Sequence, residues 1–157
     1  MNGYASKSDR KIAFAIVGAV IVATMWFVVS WFIPRGDVVH IEYGPHTIAA
    51  KVAKDDASRQ VGLGGVRQLG PNEGLLMVFE NPGSHRVWMA GMEIPIDVVW
   101  VGEDGEIVHI VKDMKPESYP TEYSSKRPAK YVLEIGSGMA SRINISVGGY
   151  VRLPGEI

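Results

Sequence analysis

Residues 96–111 read IDVVWVGEDGEIVHIV, and this stretch decides the fold class. Two alternating apolar runs, Ile96 to Val101 and Glu106 to Val111, flank Glu103-Asp104-Gly105. An Asp-Gly pair between such runs signals a hairpin, because glycine takes the positive φ that a tight turn between twisted strands demands. Side chains alternate along a strand, so Ile96, Val98 and Trp100 share one face while Asp97, Val99 and Val101 share the other. Both faces are apolar. The strand is therefore expected to be covered on both sides, with Asp97 sheltered from water.

Similar patterns extend in both directions. Val38 to Tyr43 and His46 to Ala53 alternate around Gly44-Pro45, which predicts a second hairpin. Lys54 to Gln60 predicts a short helix, with Asp55 or Asp56 capping its free N–H groups and the glycines at 62, 64 and 65 ending it. Leu75 to Phe79 reads as a short strand, Asn81-Pro82-Gly83 as a turn, and Arg86 to Met89 as extended chain. From Asp113 to Ala129 periodicity is lost, which predicts a long loop carrying Tyr119 and Tyr123. Tyr131 to Ile135 is a further strand, Ser137 to Ile143 supplies one or two helical turns, and Tyr150 to Leu153 reads as the closing strand. With about seven strands and two short helices, the expectation is an α+β fold: a small β-rich domain whose antiparallel sheet curls like a barrel.

Composition changes sharply toward the N-terminus. Residues 12–33, IAFAIVGAVIVATMWFVVSWFI, carry no charged side chain. At roughly 1.5 Å per residue such a helix reaches about 33 Å, enough for a hydrocarbon core of roughly 30 Å. Trp31, Phe32, Ile33 and Pro34 close the run where a cleavable signal would show small residues, so the expectation is an uncleaved signal anchor. Lys7, Arg10 and Lys11 precede it, whereas Arg35 follows it partly offset by Asp37. Positive charge stays inside. The expected organisation is a cytoplasmic tail over 1–11, a transmembrane helix over 12–33 and an extracytoplasmic domain over 34–157. Ala15, Ala19 and Ala23 stand four apart and either face lipid or pack on another helix.

The formal net charge of −1 removes the concentrated basic surface that nucleic-acid binding needs, so no nucleic-acid partner is expected. The chain has no cysteine, which excludes disulfides, thiolate metal sites and cysteine nucleophiles.

Four blocks carry a family resemblance: Arg59-x-x-Gly62-Leu63; Gly74-Leu75-Leu76-Met77-Val78-Phe79; Trp88-Met89 followed by Ile94-Pro95-Ile96-Asp97; and Val132-Leu133-Glu134. In order and spacing the region resembles the bacterial and archaeal family called domain of unknown function number one hundred and ninety-two. The resemblance implies a β-rich fold, often exported or membrane-anchored, with no established activity. The chain departs from the family pattern at Gly64-Gly65-Val66, at Ala90-Gly91-Met92 and at Gly148-Gly149, and the polar residues missing there weaken any inherited catalytic role.

Glu134 alternates with Leu133 and Ile135 and shares a side with Val132, so it too is expected to be sheltered. A buried carboxylate needs a cation or several donors. Arg59 is the expected partner, paired with Asp97 or Glu134. The functional reading makes Arg59, Trp88, Met89, Asp97 and Glu134 a ligand-binding set, with arginine for an anionic group, acids for hydroxyls or amines, and indole for stacking. A competing reading uses Asp97 and Glu134 as acid and base for glycoside cleavage, which requires carboxyls about 5 to 9.5 Å apart. Met89-x-x-Met92 is better explained by packing than by copper, and His40, His46, His85 and His109 lack ligand spacing, so no metal or other cofactor is expected. The leading expectation is a membrane-anchored binding or accessory domain recognising a small polar or saccharide-like ligand or an envelope protein. An envelope hydrolase and a structural subunit of a membrane assembly are the alternatives.

Overall fold

The computed structural model describes residues 37–155. The span expected over 12–33 and the tail over 1–11 lie outside the described residues, and among the described residues no helix is long and apolar enough to cross a membrane.

The first hairpin forms as the alternation requires: β1 (Val38–Tyr43) and β2 (His46–Ala53) turn at Gly44, where φ is +56°. Helix α1 (Asp56–Val61) follows, capped by Asp55, whose carboxylate accepts the Ser58 N–H at 2.9 Å. Gly62 ends the helix at φ +55°, two residues before the Gly64-Gly65 pair. The remaining strands are β3 (Glu73–Gly83), β4 (Arg86–Val87), β5 (Ile96–Val101), β6 (Ile107–Met114), β7 (Tyr123–Ser124) and β8 (Ala129–Gly136), and α2 (Met139–Arg142) packs behind β8. Residues 113–129 are more ordered than their sequence implies, because β6 runs on to Met114 and β7 pairs with β4.

Six strands form one sheet in the order β1-β2-β3-β8-β5-β6. It is mixed rather than antiparallel, because β2 and β3 run parallel. Residues 54–72, α1 included, carry the chain from the end of β2 back to the start of β3, the crossover that a parallel pair requires. Nor does the sheet close into a barrel. β1 and β6 remain its outer strands, and residues 148–152 reach both sides through isolated bridges, Glu42 with Arg152 and Glu106 with Tyr150, and a few further hydrogen bonds to Gly105, Ile107 and Glu42, without forming a strand. Gly148 at φ +85° breaks the extended run, and Tyr150 and Arg152 each meet a different partner, so no closing strand forms.

Both faces of the sheet are buried, which is why β5 is covered along its whole length. On one face Val99, Val101, Leu133 and Ile135 pack with Met139, Ala140 and Ile143 of the α2 region. On the other, Val98, Trp100 and Val132 pack with Leu63, Met77, Val87 and Met89. Trp100 is fully buried, and its indole N–H donates to the His85 carbonyl at 2.8 Å, so burying the ring leaves no orphan donor.

Candidate functional site

Cross-strand register decides which candidates can meet. Asp97 stands opposite Ile135, and Val98 stands opposite Glu134. Directly opposed residues share a face, so Asp97 belongs to the α2 side and Glu134 to the α1 side. The acid and base pair expected for glycoside cleavage is thereby overturned: the two carboxyls project from opposite faces of one sheet.

Asp97 is 0 % exposed and its carboxyl is fully occupied. Oδ1 accepts the Asp113 N–H at 2.8 Å, and Oδ2 accepts the Ala140 N–H at 2.9 Å. Lys112 and Asp113 both stand opposite Asp97, a bulge that supplies the first donor, and the free N-terminal turn of α2 supplies the second. Asp97 therefore ties β5 to β6 and α2.

Arg59 pairs with neither buried acid, and this corrects the expected ion pair. Its guanidinium donates to the Asp56 carboxylate, to the Lys54 carbonyl and, at 2.8 Å, to the Val78 carbonyl. It also lies 5.0 Å above the Phe79 ring, whose other neighbour is the stacked His85 imidazole. Burial, and to a lesser degree the Arg59 charge, pull the His85 pKa down. The arginine fastens α1 onto β3. Proximity in sequence satisfied it first, because Asp56 lies one helical turn away.

Fixing α1 in this way aims the following turn at Glu134. Gly62 adopts a backbone that residues with a Cβ rarely take, and an added methyl group would stand 3.2 Å from Glu134 Oε2 and 3.3 Å from Met77 Cε. The next residue, Leu63, buries its side chain and gives its backbone N–H to the Glu134 carboxyl. Oε2 has no partner. Glu134 is 3 % exposed, and burial pushes its pKa up to about 7, the Leu63 hydrogen bond opposing the rise only in part.

Glu134 lies in a small cleft of about 30 Å³ that opens to solvent. Arg59, Gly62, Met77, Arg86, Trp88 and Met92 line it with Glu134. The structure thus brings together Arg59, Trp88 and Glu134 from the candidate set and leaves out two members: Asp97 faces the other side, and Met89 is buried in the core. Trp88 is half-buried, with part of its surface left free. Arg86 was missed by sequence reading; it sits two residues before Trp88, the spacing that puts both on one side of extended chain, and its guanidinium pairs with Glu122 at 2.9 Å.

A profile of the DUF192 family, described as "Uncharacterized ACR", matches residues 38–153. The chain belongs to this family. Two solved structures share its fold. One, from Sinorhizobium meliloti 1021, is described as a candidate transcription regulator; it is 28% identical with a TM-score of 0.69, and the match covers 74% of this chain and 92% of that one. The other, a protein of unknown function from Novosphingobium aromaticivorans, is 28% identical with a TM-score of 0.68, covering 73% of this chain and 83% of that one. No protein with a curated description matches. Within this DUF192 domain, the blocks that carried the resemblance converge on the cleft: Arg59 and Gly62 from the first, Met77 from the second, Trp88 from the third and Glu134 from the last.

Proposed function

We propose that the chain is a membrane-anchored, extracytoplasmic binding module whose Glu134 cleft receives a small polar ligand. One observation carries this reading: Glu134 Oε2 is buried at the cleft without a partner. A polar atom in that position costs about 1–3 kcal/mol, which a donor arriving with a ligand offsets. Trp88 lines the same cleft, and an indole there suits small ligands that stack on aromatic rings. The anchoring rests on the charge-free run over 12–33 and the basic residues before it. A transcriptional role, the description given to the Sinorhizobium relative, draws no support from a net charge of −1.

The test is thermal melting of the intact chain in detergent against a panel of sugars, amino sugars and nucleotides. A ligand at roughly one hundred times its dissociation constant raises stability by about 2.7 kcal/mol, and the Trp88→Ala variant loses the effect. A panel without effect, or stabilisation that survives Trp88→Ala unchanged, would sink the proposal.

A further inference from the structure

Charge around the cleft narrows the class of ligand. Arg59 is matched by Asp56 and Arg86 by Glu122, so the two cations at the rim are each cancelled by an anion. Arg59 is further committed to two backbone carbonyls. At the level of Glu134 the flanking strands present Leu75 and Val98, and Asp97, the charged neighbour on β5, faces away. Glu134 is left as the acid without a counter-charge. No other charge contributes to its raised pKa: burial is the cause, and the Leu63 N–H is the one opposing influence.

Resting on the cleft reading, we propose that Glu134 recognises an ammonium group. The ammonium donates to Oε2, the indole of Trp88 attracts the cation through its π face, and the thioether side chains of Met77 and Met92 cover the adjoining carbon atoms. An anionic group in this position would meet the acid head on. A neutral hydroxyl would fill the same hydrogen bond but gain nothing from charge.

The geometry has a consequence in pH. Cation binding needs the ionised carboxylate, and the free protein holds a proton there up to about pH 7. Affinity for an amine that stays protonated throughout therefore rises about tenfold between pH 6 and pH 8 and then levels off.

Two probes of equal size separate the charge from the hydrogen bond: ethanolamine and ethylene glycol, with choline as a cation that donates no N–H. Each is titrated into the intact, isotope-labelled chain in detergent, and the Leu63 amide resonance, whose N–H rests on the Glu134 carboxyl, reports occupancy. The expected result is ethanolamine at least about tenfold tighter than ethylene glycol at pH 8, with the pH step above. Glu134→Gln abolishes both the preference and the step. Trp88→Leu weakens ethanolamine and choline alike yet keeps the step, and it decides the matter if the glutamine variant does not fold. Equal binding of ethanolamine and ethylene glycol overturns the ammonium assignment and leaves the cleft standing. Silence at Leu63 from all three probes overturns the cleft reading with it.

Discussion

Asp97 and Glu134 stand on adjacent strands, one register step apart, and both are hidden from solvent. On the α2 face, each Asp97 oxygen accepts a backbone N–H, one from Asp113 and one from Ala140. On the α1 face, Glu134 has the Leu63 N–H, and its second oxygen has nothing. Burial alone therefore says little about what an acid does. The count of donors around it separates a carboxyl that holds a fold together from one that waits for a partner.

The sharpest way to break this contrast is Asp97→Ala. It orphans the Asp113 and Ala140 donors together, at about 1–3 kcal/mol each, so a loss of about 2–6 kcal/mol is expected in urea unfolding. A loss below about 1 kcal/mol would mean that water or a relaxed backbone replaces the carboxyl, and the two faces would no longer differ in kind.

Next comes the pH dependence of Glu134. Its native pKa stands near 7 against an ordinary 4.5, so between those values the native state holds a proton that the unfolded state has released. Stability must then fall as pH rises through that window and level off above it, by about 3 kcal/mol in all. Glu134→Gln lacks this slope. The difference between parent and variant, taken from denaturation at several pH values, isolates it from other acids; a difference that does not vary from pH 4 to pH 8 would show that the carboxyl is not paying for its burial.

The smallest expected effect is Gly62→Ala. Its methyl group crowds Glu134 Oε2 and Met77 Cε from a strained backbone, at about 1–3 kcal/mol. The change also presses on the cleft, so loss of ligand-induced stabilisation should accompany the lower melting temperature. A variant that melts lower but binds as before would show that Gly62 serves the turn alone.

Much of the fold was legible because local chemistry decided it. Alternation placed β1, β2 and β5 at their observed limits, and the Asp-Gly turn joined β5 to β6 as expected. Asp55 could be named as one of two caps for α1 because the chain offers few oxygens there. The parallel pairing of β2 with β3 was not legible, since the length of a crossover does not state where it returns. The C-terminal residues had a strand's alternation but no continuous edge to run along. The same holds for the site. Trp88 and Glu134 were chosen for their chemistry and do line one cleft, whereas the partner given to Arg59 was wrong because Asp56 was nearer along the chain.

By itself the sequence determined most strands of the large sheet, the short helices and the sheltering of both acids, which follow from periodicity and local hydrogen-bonding options within a few residues, while its four motif blocks carried the resemblance to the family. Only the tertiary structure decided that Asp97 and Glu134 face apart and that one is satisfied while the other is not. Register and donor supply depend on segments distant in sequence, such as Ala140 reaching Asp97 or Leu63 reaching Glu134. No pattern along a single strand carries that information, because a strand's own backbone donors are already committed to its neighbours.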